Sequence, residues 1–425
     1  MQILVLGGGA REHALVKSLS ADPDVDAVVA APGNPGIGLI AHCEPIADAT
    51  DGRLVVELAA RLGSDLVVVG PEAPLVAGVA DALKAAGIDC YGPSAAAAML
   101  EGSKAFAKEV MRAAGVPTAL AHVCSTLEQV KDALDVLGAP YVVKDDGLAA
   151  GKGVVVTDDR DAALKHAWSC LDKPDGRVVV EAFLDGPEVS LFCVCDGRRA
   201  IALEPAQDFK RVGDDDAGPN TGGMGAYTPL DWAPAGLAAD IVERVAQPVL
   251  DEMRSRGIPF VGTLFVGLAL TSKGPRVIEF NARFGDPETQ VVLARLRTPL
   301  GGLLAAAASG RLEELPRLRW SPESAVTVVV AAADYPGPAR VGDPISGLDD
   351  VEAVDAAYVL HAGTALDGAG TLVSDGGRVL SVVALGDTLG EARKRAYAAV
   401  DLIDLPGSHH RHDIALKAER GDIPV

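Results

Sequence analysis

Short apolar runs at residues 3–6, 27–31, 66–69 and 89–91 alternate with Ala-rich stretches of helical pattern. Strands that alternate with helices pair in parallel, so this spacing commits the first hundred residues to an open α/β sheet. The opening stretch Met1-Gln2-Ile3-Leu4-Val5-Leu6 has neither the basic region nor the small-residue cleavage site of a secretory signal, and it reads as the first strand. A helix at 101–114 carries Lys104 and Lys108 and stops at Gly115-Val116-Pro117. After it the pattern changes. Apolar segments at 141–144, 153–156, 177–183, 188–195 and 200–203 are joined by Gly-containing turns such as Asp196-Gly197, which predicts antiparallel hairpins. Residues 207–229 are Gly-rich and too polar to bury themselves, the pattern of a long functional or disordered loop. A helix at 237–256 and a hairpin pairing 263–271 with 276–281 follow. Beyond Pro316, strands at 325–331, 356–360 and 377–384 and a helix at 389–402 predict a last, smaller unit.

A chain of 425 residues is long enough for roughly three units at ~150 residues each. Its formal net charge of −21 would repel nucleic-acid phosphates and anionic headgroups over most of the surface, which argues against nucleic-acid and membrane partners. No apolar run approaches the ~18 residues of a membrane span. The six cysteines are dispersed and read as reduced core thiols of a cytoplasmic protein, with Cys193 and Cys195 on one face of a strand.

Several local patterns carry chemistry. Gly7-Gly8-Gly9 lies where a first strand opens into a helix, so it is either a plain tight turn or a small anion site. Glu12 stands at the third Gly of the dinucleotide fingerprint and no acid follows the second strand, which argues against NAD. The turns at Asn34 and at Gly70-Pro71-Glu72 converge on the same sheet edge. Residues 147–153, Gly-Leu-Ala-Ala-Gly-Lys-Gly, resemble a P-loop but lack one residue and the Ser or Thr that would hold Mg²⁺. As a hairpin tip they could still fold amides and Lys152 over a triphosphate. Lys144 ends an apolar strand pointing into that hairpin, where a buried lysine needs an anion. In Glu279-Phe280-Asn281 the strand period sets two hard oxygen ligands side by side, with Ile278 and Phe280 on the other face; such a pair suits Mg²⁺. Arg283, Asp286 and Glu288 crowd the next turn. Residues 181–188 offer a strand edge for adenine and an acid for ribose, or a plain interdomain strand.

Taken together, Lys104, Lys144, the 147–153 loop, the 181–188 hinge and Glu279-x-Asn281 resemble the ATP-grasp superfamily of carboxylate–amine ligases. Within it the chain is similar to the phosphoribosylamine–glycine ligase family over nearly its whole length. The resemblance rests on residues 9–15, 31–34, 69–75, 100–104, 146–153, 218–226, 279–288 and 361–364. It implies an N-terminal parallel-sheet preATP-grasp domain (1–100) and an ATP-grasp domain with antiparallel sheets (101–318), whose small lid subdomain spans about 120–188. A C-terminal α+β domain (319–425) would follow. It implies ATP-dependent joining of glycine to 5-phosphoribosylamine in purine biosynthesis, through glycyl phosphate, by a cytoplasmic monomer. By resemblance Lys104, Lys144 and Lys152 hold phosphates, the backbone of Glu181, Phe183 and Leu184 holds adenine, and Glu188 holds ribose. Glu279 and Asn281 hold Mg²⁺ or Mn²⁺, Arg283 neutralises the acyl phosphate, and Asp208 takes the glycine ammonium. The turns at Gly9, Asn34 and Glu72 hold the phosphoribosylamine, and Asp286 is a further substrate-binding residue. The alternatives are another purine-pathway ATP-grasp ligase and a non-catalytic nucleotide-binding protein. Asp145, Phe209 and the segment 409–415 depart from the family pattern.

Overall fold

The computed structural model describes residues 1–148 and 153–424. The first unit is a five-stranded parallel sheet with the order His42–Cys43, Ala27–Pro32, Gln2–Gly7, Leu66–Val69, Asp89–Tyr91. The first strand is central, so the chain departs from it in opposite directions. The loops at 7–9 and 70–72 therefore meet at a switch point, where open α/β sheets bind ligands.

A small antiparallel sheet follows, in the order Ala121–Cys124, Val178–Glu181, Tyr141–Asp145, Val154–Thr157. Helices Leu127–Leu137 and Arg160–Leu171 cover it, and its core of Cys124, Val130, Leu134, Val143, Ala163 and Val180 is separate from the rest of the molecule. The central sheet runs Ala200–Ala202, Glu188–Asp196, Val261–Thr271, Gly274–Asn281. Cys193 and Cys195 are free thiols buried on one of its strands. The last sheet runs Gln207–Asp208, Gly225–Thr228, Ser324–Ala331, Arg378–Gly386, Ala357–His361, with helix Leu389–Val400 packed on it.

Three elements differ from the sequence expectation. The helix expected at 101–114 is two helices, Ala95–Gly102 and Lys104–Ala113. Ser103 between them is extended and caps the second through Phe106 N at 3.1 Å, a role hydroxyl residues fill better than helix interiors. The stretch 207–229 is no loose loop. It forms the hairpin Arg211–Gly213 with Ala217–Asn220 and supplies two strands to the last sheet, where Met224, Ala226 and Tyr227 are fully buried. The helix at 237–256 contains a π turn over Val242–Ala246, just before Pro248, which has no N–H to give to it. Among the described residues no helix is long and apolar enough to cross a membrane.

Candidate active site

The parallel sheet, the small antiparallel sheet, the central sheet and the last sheet meet around one cavity of about 920 Å³. Lys144, next to last in the strand Tyr141–Asp145, is 4% exposed, and its anion is Glu181 on the neighbouring strand, at 3.0 Å. Lys144 also donates to the Ile278 carbonyl at 3.1 Å. Glu181 reaches a second lysine, Lys108, at 3.2 Å. Burial pushes Lys108 down to about 8, despite the pull of Glu181. One carboxylate thus balances two buried ammonium groups, which leaves a net positive charge facing the cavity. Lys104 donates to the Gly147 carbonyl at 3.0 Å at the root of the Gly-rich hairpin, and burial lowers its pKa. Asp146 fixes that root: its Oδ1 accepts from Ser103 Oγ at 2.9 Å and from Ala105 N at 3.1 Å. Asp145 alternates to the other face of its strand and pairs with Lys173 at 2.5 Å, away from Lys144. Lys152 lies outside the described residues.

Glu279 and Asn281 line the cavity from the strand Gly274–Asn281. A bulge lets Leu268 pair with Val277 and Gly267 with Glu279, so Ile278 is the extra residue. This corrects the strict alternation: Phe280 is buried as expected and Ile278 is half-buried, yet both line the cavity with Glu279 and Asn281. Gly267 lies under Glu279, where a Cβ would come within 3.3 Å of its Cγ. Burial alone would raise the Glu279 pKa, but Lys210, Lys144, Lys104 and Arg283 outweigh it and hold the carboxylate ionised. Neither side chain hydrogen-bonds to another described residue. An ionised carboxylate and an amide oxygen with free lone pairs, side by side in a cleft, fit a hard divalent cation that completes its shell with water and phosphate.

Opposite lies the segment after Val178–Glu181. The backbone N–H and C=O groups of Phe183 and Leu184 make no hydrogen bond to the described residues, whereas Ala182 N is bound to the Leu120 carbonyl. Glu188 follows and pairs with Lys210 at 2.6 Å. Asp208 lies 3.9 Å from Lys210, and burial pushes it up to about 7 against the pull of that lysine, with Glu288, Glu188 and Glu279 adding to the rise.

At the junction with the first unit, Arg283 Nη2 bonds Glu101 at 2.8 Å and Nε bonds Glu72 at 3.3 Å. Asp286 pairs with Arg378 of the last sheet at 3.2 Å, and Arg378 Nη1 also donates to the carbonyls of Gly222 and Asp286, each at 2.8 Å. Glu72, Arg283 and Asp286 therefore share the cavity wall with the phosphate and metal candidates. Gly9 and Asn34 do not line it. The helix N-terminus after Gly9 is filled by the protein's own carboxylate, since Gly9 N donates to Glu12 Oε2 at 2.7 Å. Asn34 Nδ2 donates to the Gly8 and His361 carbonyls at 2.8 and 2.9 Å, and its Oδ1 accepts from Ile37 N at 2.9 Å, so the side chain clasps the first unit to the last.

The N, ATP-grasp (A) and C domains of phosphoribosylglycinamide synthetase match residues 1–101, 102–289 and 325–417. The chain belongs to the phosphoribosylglycinamide synthetase family. A relative from Streptomyces coelicolor named phosphoribosylamine–glycine ligase is 65% identical over 420 residues, 98% of this chain and 99% of its own. Another of that name, from Mycobacterium tuberculosis, is 54% identical over the full length of both chains. The crystal structure of the phosphoribosylamine–glycine ligase from Thermotoga maritima superposes with a TM-score of 0.83 at 30% identity, covering 98% of this chain and 100% of that one. As members of this family do, the chain uses ATP with a divalent cation.

Three synthetase-site groups escaped the sequence reading. Lys108 had a signal, since it lies four residues after Lys104 and so on the same helical face. Glu101 and Arg378 had none, because their partners lie far away in the chain: Arg283 for one, Gly222 and Asp286 for the other.

Proposed function

We propose that the chain joins glycine to 5-phosphoribosylamine to give glycinamide ribonucleotide, ADP and phosphate, a step of purine biosynthesis. The observation that carries this is the convergence in one cavity of three groups. These are the buried lysines on Glu181, the ionised Glu279 beside Asn281, and Arg283 held between acids at the edge of the parallel sheet. Glycine's carboxylate is a poor acyl donor, so it first takes the γ-phosphoryl group of ATP, and the amine of phosphoribosylamine then displaces phosphate from glycyl phosphate. In such a transfer the protein positions reactants and neutralises charge. Lys104, Lys144 and Lys152 take the phosphates. The open backbone edge of Phe183 and Leu184 takes adenine and Glu188 takes ribose. Mg²⁺ or Mn²⁺, bound by Glu279 and Asn281, supplies further neutralisation of phosphate oxygens. Arg283 faces the acyl phosphate and Asp208 receives the glycine ammonium. Glu72 and Asp286 orient the sugar phosphate, while Gly9 and Asn34 shape the turns behind them. Excluding water matters because acyl phosphates hydrolyse; the Gly-rich tip at 149–152, read from the sequence as the lid, lies outside the described residues.

We also infer a monomer, and a cytoplasmic setting in keeping with six free cysteines. The working division is residues 1–100, 101–318 with a lid at about 120–188, and 319–425. The test is ADP release with ATP, glycine and phosphoribosylamine formed in place from ribose 5-phosphate and ammonia. Release should stop without glycine and fall by about a hundredfold or more in Glu279→Gln. Release that persists at the same rate without glycine contradicts the reading.

A further inference from the structure

Arg411 is 1% exposed, and nothing in the cleft described so far uses it. A guanidinium taken out of water needs its donors filled, and its planar fork is filled here. Nε and Nη2 donate to the two carboxylate oxygens of Asp413 at 2.7 and 2.6 Å. Nη1 donates to Asp216 Oδ1 at 2.8 Å and to the Arg211 carbonyl at 3.2 Å. The guanidinium lies 4.9 Å from the centre of the Phe209 ring. The ring at 209, the carbonyl at 211 and the acid at 216 all belong to the strip that carries Asp208 and Lys210 into the cavity.

The other end of this clamp is anchored. The Arg411 carbonyl accepts from Tyr397 Oη at 2.8 Å, and Arg393 donates to the carbonyls of His412 and Ile414 at 2.6 and 3.0 Å. Both anchors lie on helix Leu389–Val400. Phe209 and segment 409–415, two places where the sequence departs from the family pattern, are thus in contact with each other.

We propose that Arg411 is a positioning residue for amino-acid binding: from a segment anchored on helix Leu389–Val400 it holds the 208–216 strip so that Asp208 and Lys210 keep their places beside Glu188. The proposal rests on the assignment of Asp208 to the glycine ammonium. Arg411 itself touches no substrate.

Steady-state kinetics with each substrate varied in turn test it. Arg411→Met should raise KM for glycine about tenfold or more and leave KM for phosphoribosylamine within about twofold. Arg411→Lys should behave like Arg411→Met, because one ammonium cannot span Asp413, Asp216 and the Arg211 carbonyl together. Asp216→Asn, at a more exposed position, should raise glycine KM a few-fold. It carries the test alone if the Arg411 variants do not fold. A role confined to folding would lower kcat by reducing the active fraction and leave every KM in place, and that result overturns the proposal. Asp208→Asn is the control: adding Arg411→Met to it should change glycine KM by less than about twofold. If Asp208→Asn alone leaves glycine KM unchanged, the glycine assignment fails instead. The clamp is then read from hydrogen exchange of the amides at 207–213 in Arg411→Met and Asp216→Asn. Faster exchange there, with exchange in the small antiparallel sheet unchanged, supports it; unchanged exchange at 207–213 overturns it.

Discussion

Glu181 holds two lysines out of water, Lys144 at 3.0 Å and Lys108 at 3.2 Å. Breaking a buried pair by removing one partner costs about 3–5 kcal/mol, because the other charge stays behind. Glu181→Gln should therefore lower the melting temperature markedly. MgATP should then raise it by more than in the parent protein, since phosphate replaces the lost anion; calorimetric scans with and without nucleotide check this. Asp208 supplies a pH signature. Its pKa is pushed up to about 7, so the carboxylate proposed to receive the glycine ammonium is depleted below that pH. KM for glycine should rise about tenfold per pH unit below 7, and in Asp208→Asn it should stay flat, as a pH series of initial rates will report. At this scale the sequence was informative wherever a local period or spacing defined the group. Glu279 and Asn281 sit two apart on one strand, and Lys144 ends an apolar run, so their roles could be argued without coordinates. Asn34 shows the limit of the same reasoning. Its turn was correctly placed at the sheet edge, yet its amide is consumed by the His361 and Gly8 carbonyls, partners that no local pattern names.

Among elements, the strands of the parallel sheet and the hairpins after it were legible because apolar periodicity is a local property. The segment 207–229 was not. Its strands are short and Gly-rich, and the one that ties the segment into the last sheet, Gly225–Thr228, does so by pairing with Ser324–Ala331, a hundred residues further on. Ser103 breaks a helix for a similar reason, since its hydroxyl serves both Phe106 N and Asp146. The contact between helix Ala10–Ser20 and strand Ala357–His361 carries a prediction. His13 Nδ1 accepts from His361 N at 2.9 Å, and the two rings lie 5.8 Å apart. Burial, with His361 and Lys17 nearby, pushes His13 down to about 3, and burial pushes His361 to about 4. Unfolded histidines titrate near 6.5, so below that pH the unfolded chain binds more protons than the folded one and stability falls toward pH 4. Each histidine adds a slope on the order of 1.4 kcal/mol per pH unit. In His13→Asn, whose Oδ1 replaces the acceptor at Nδ1, urea unfolding between pH 4 and 6.5 should show a slope shallower by about that amount.

For the whole molecule, length and strand pattern pointed to three units, and charge pointed away from polyanions. The structure shows how both are qualified. The last sheet takes two of its five strands from before residue 230, so the units are interlocked through that sheet as well as joined in series. A net charge of −21 coexists with Lys104, Lys108, Lys144, Lys210, Arg283 and Arg378 around one cavity, where anionic substrates meet local charge with little solvent between. The account stands on the claim that this cavity activates the carboxylate of glycine by phosphoryl transfer, which oxygen labelling tests directly. With glycine carrying ¹⁸O in its carboxylate, the oxygen that attacks the γ-phosphorus leaves with it when the amine displaces phosphate. Mass spectrometry of the product phosphate should find one ¹⁸O atom per turnover; phosphate free of label would contradict the account.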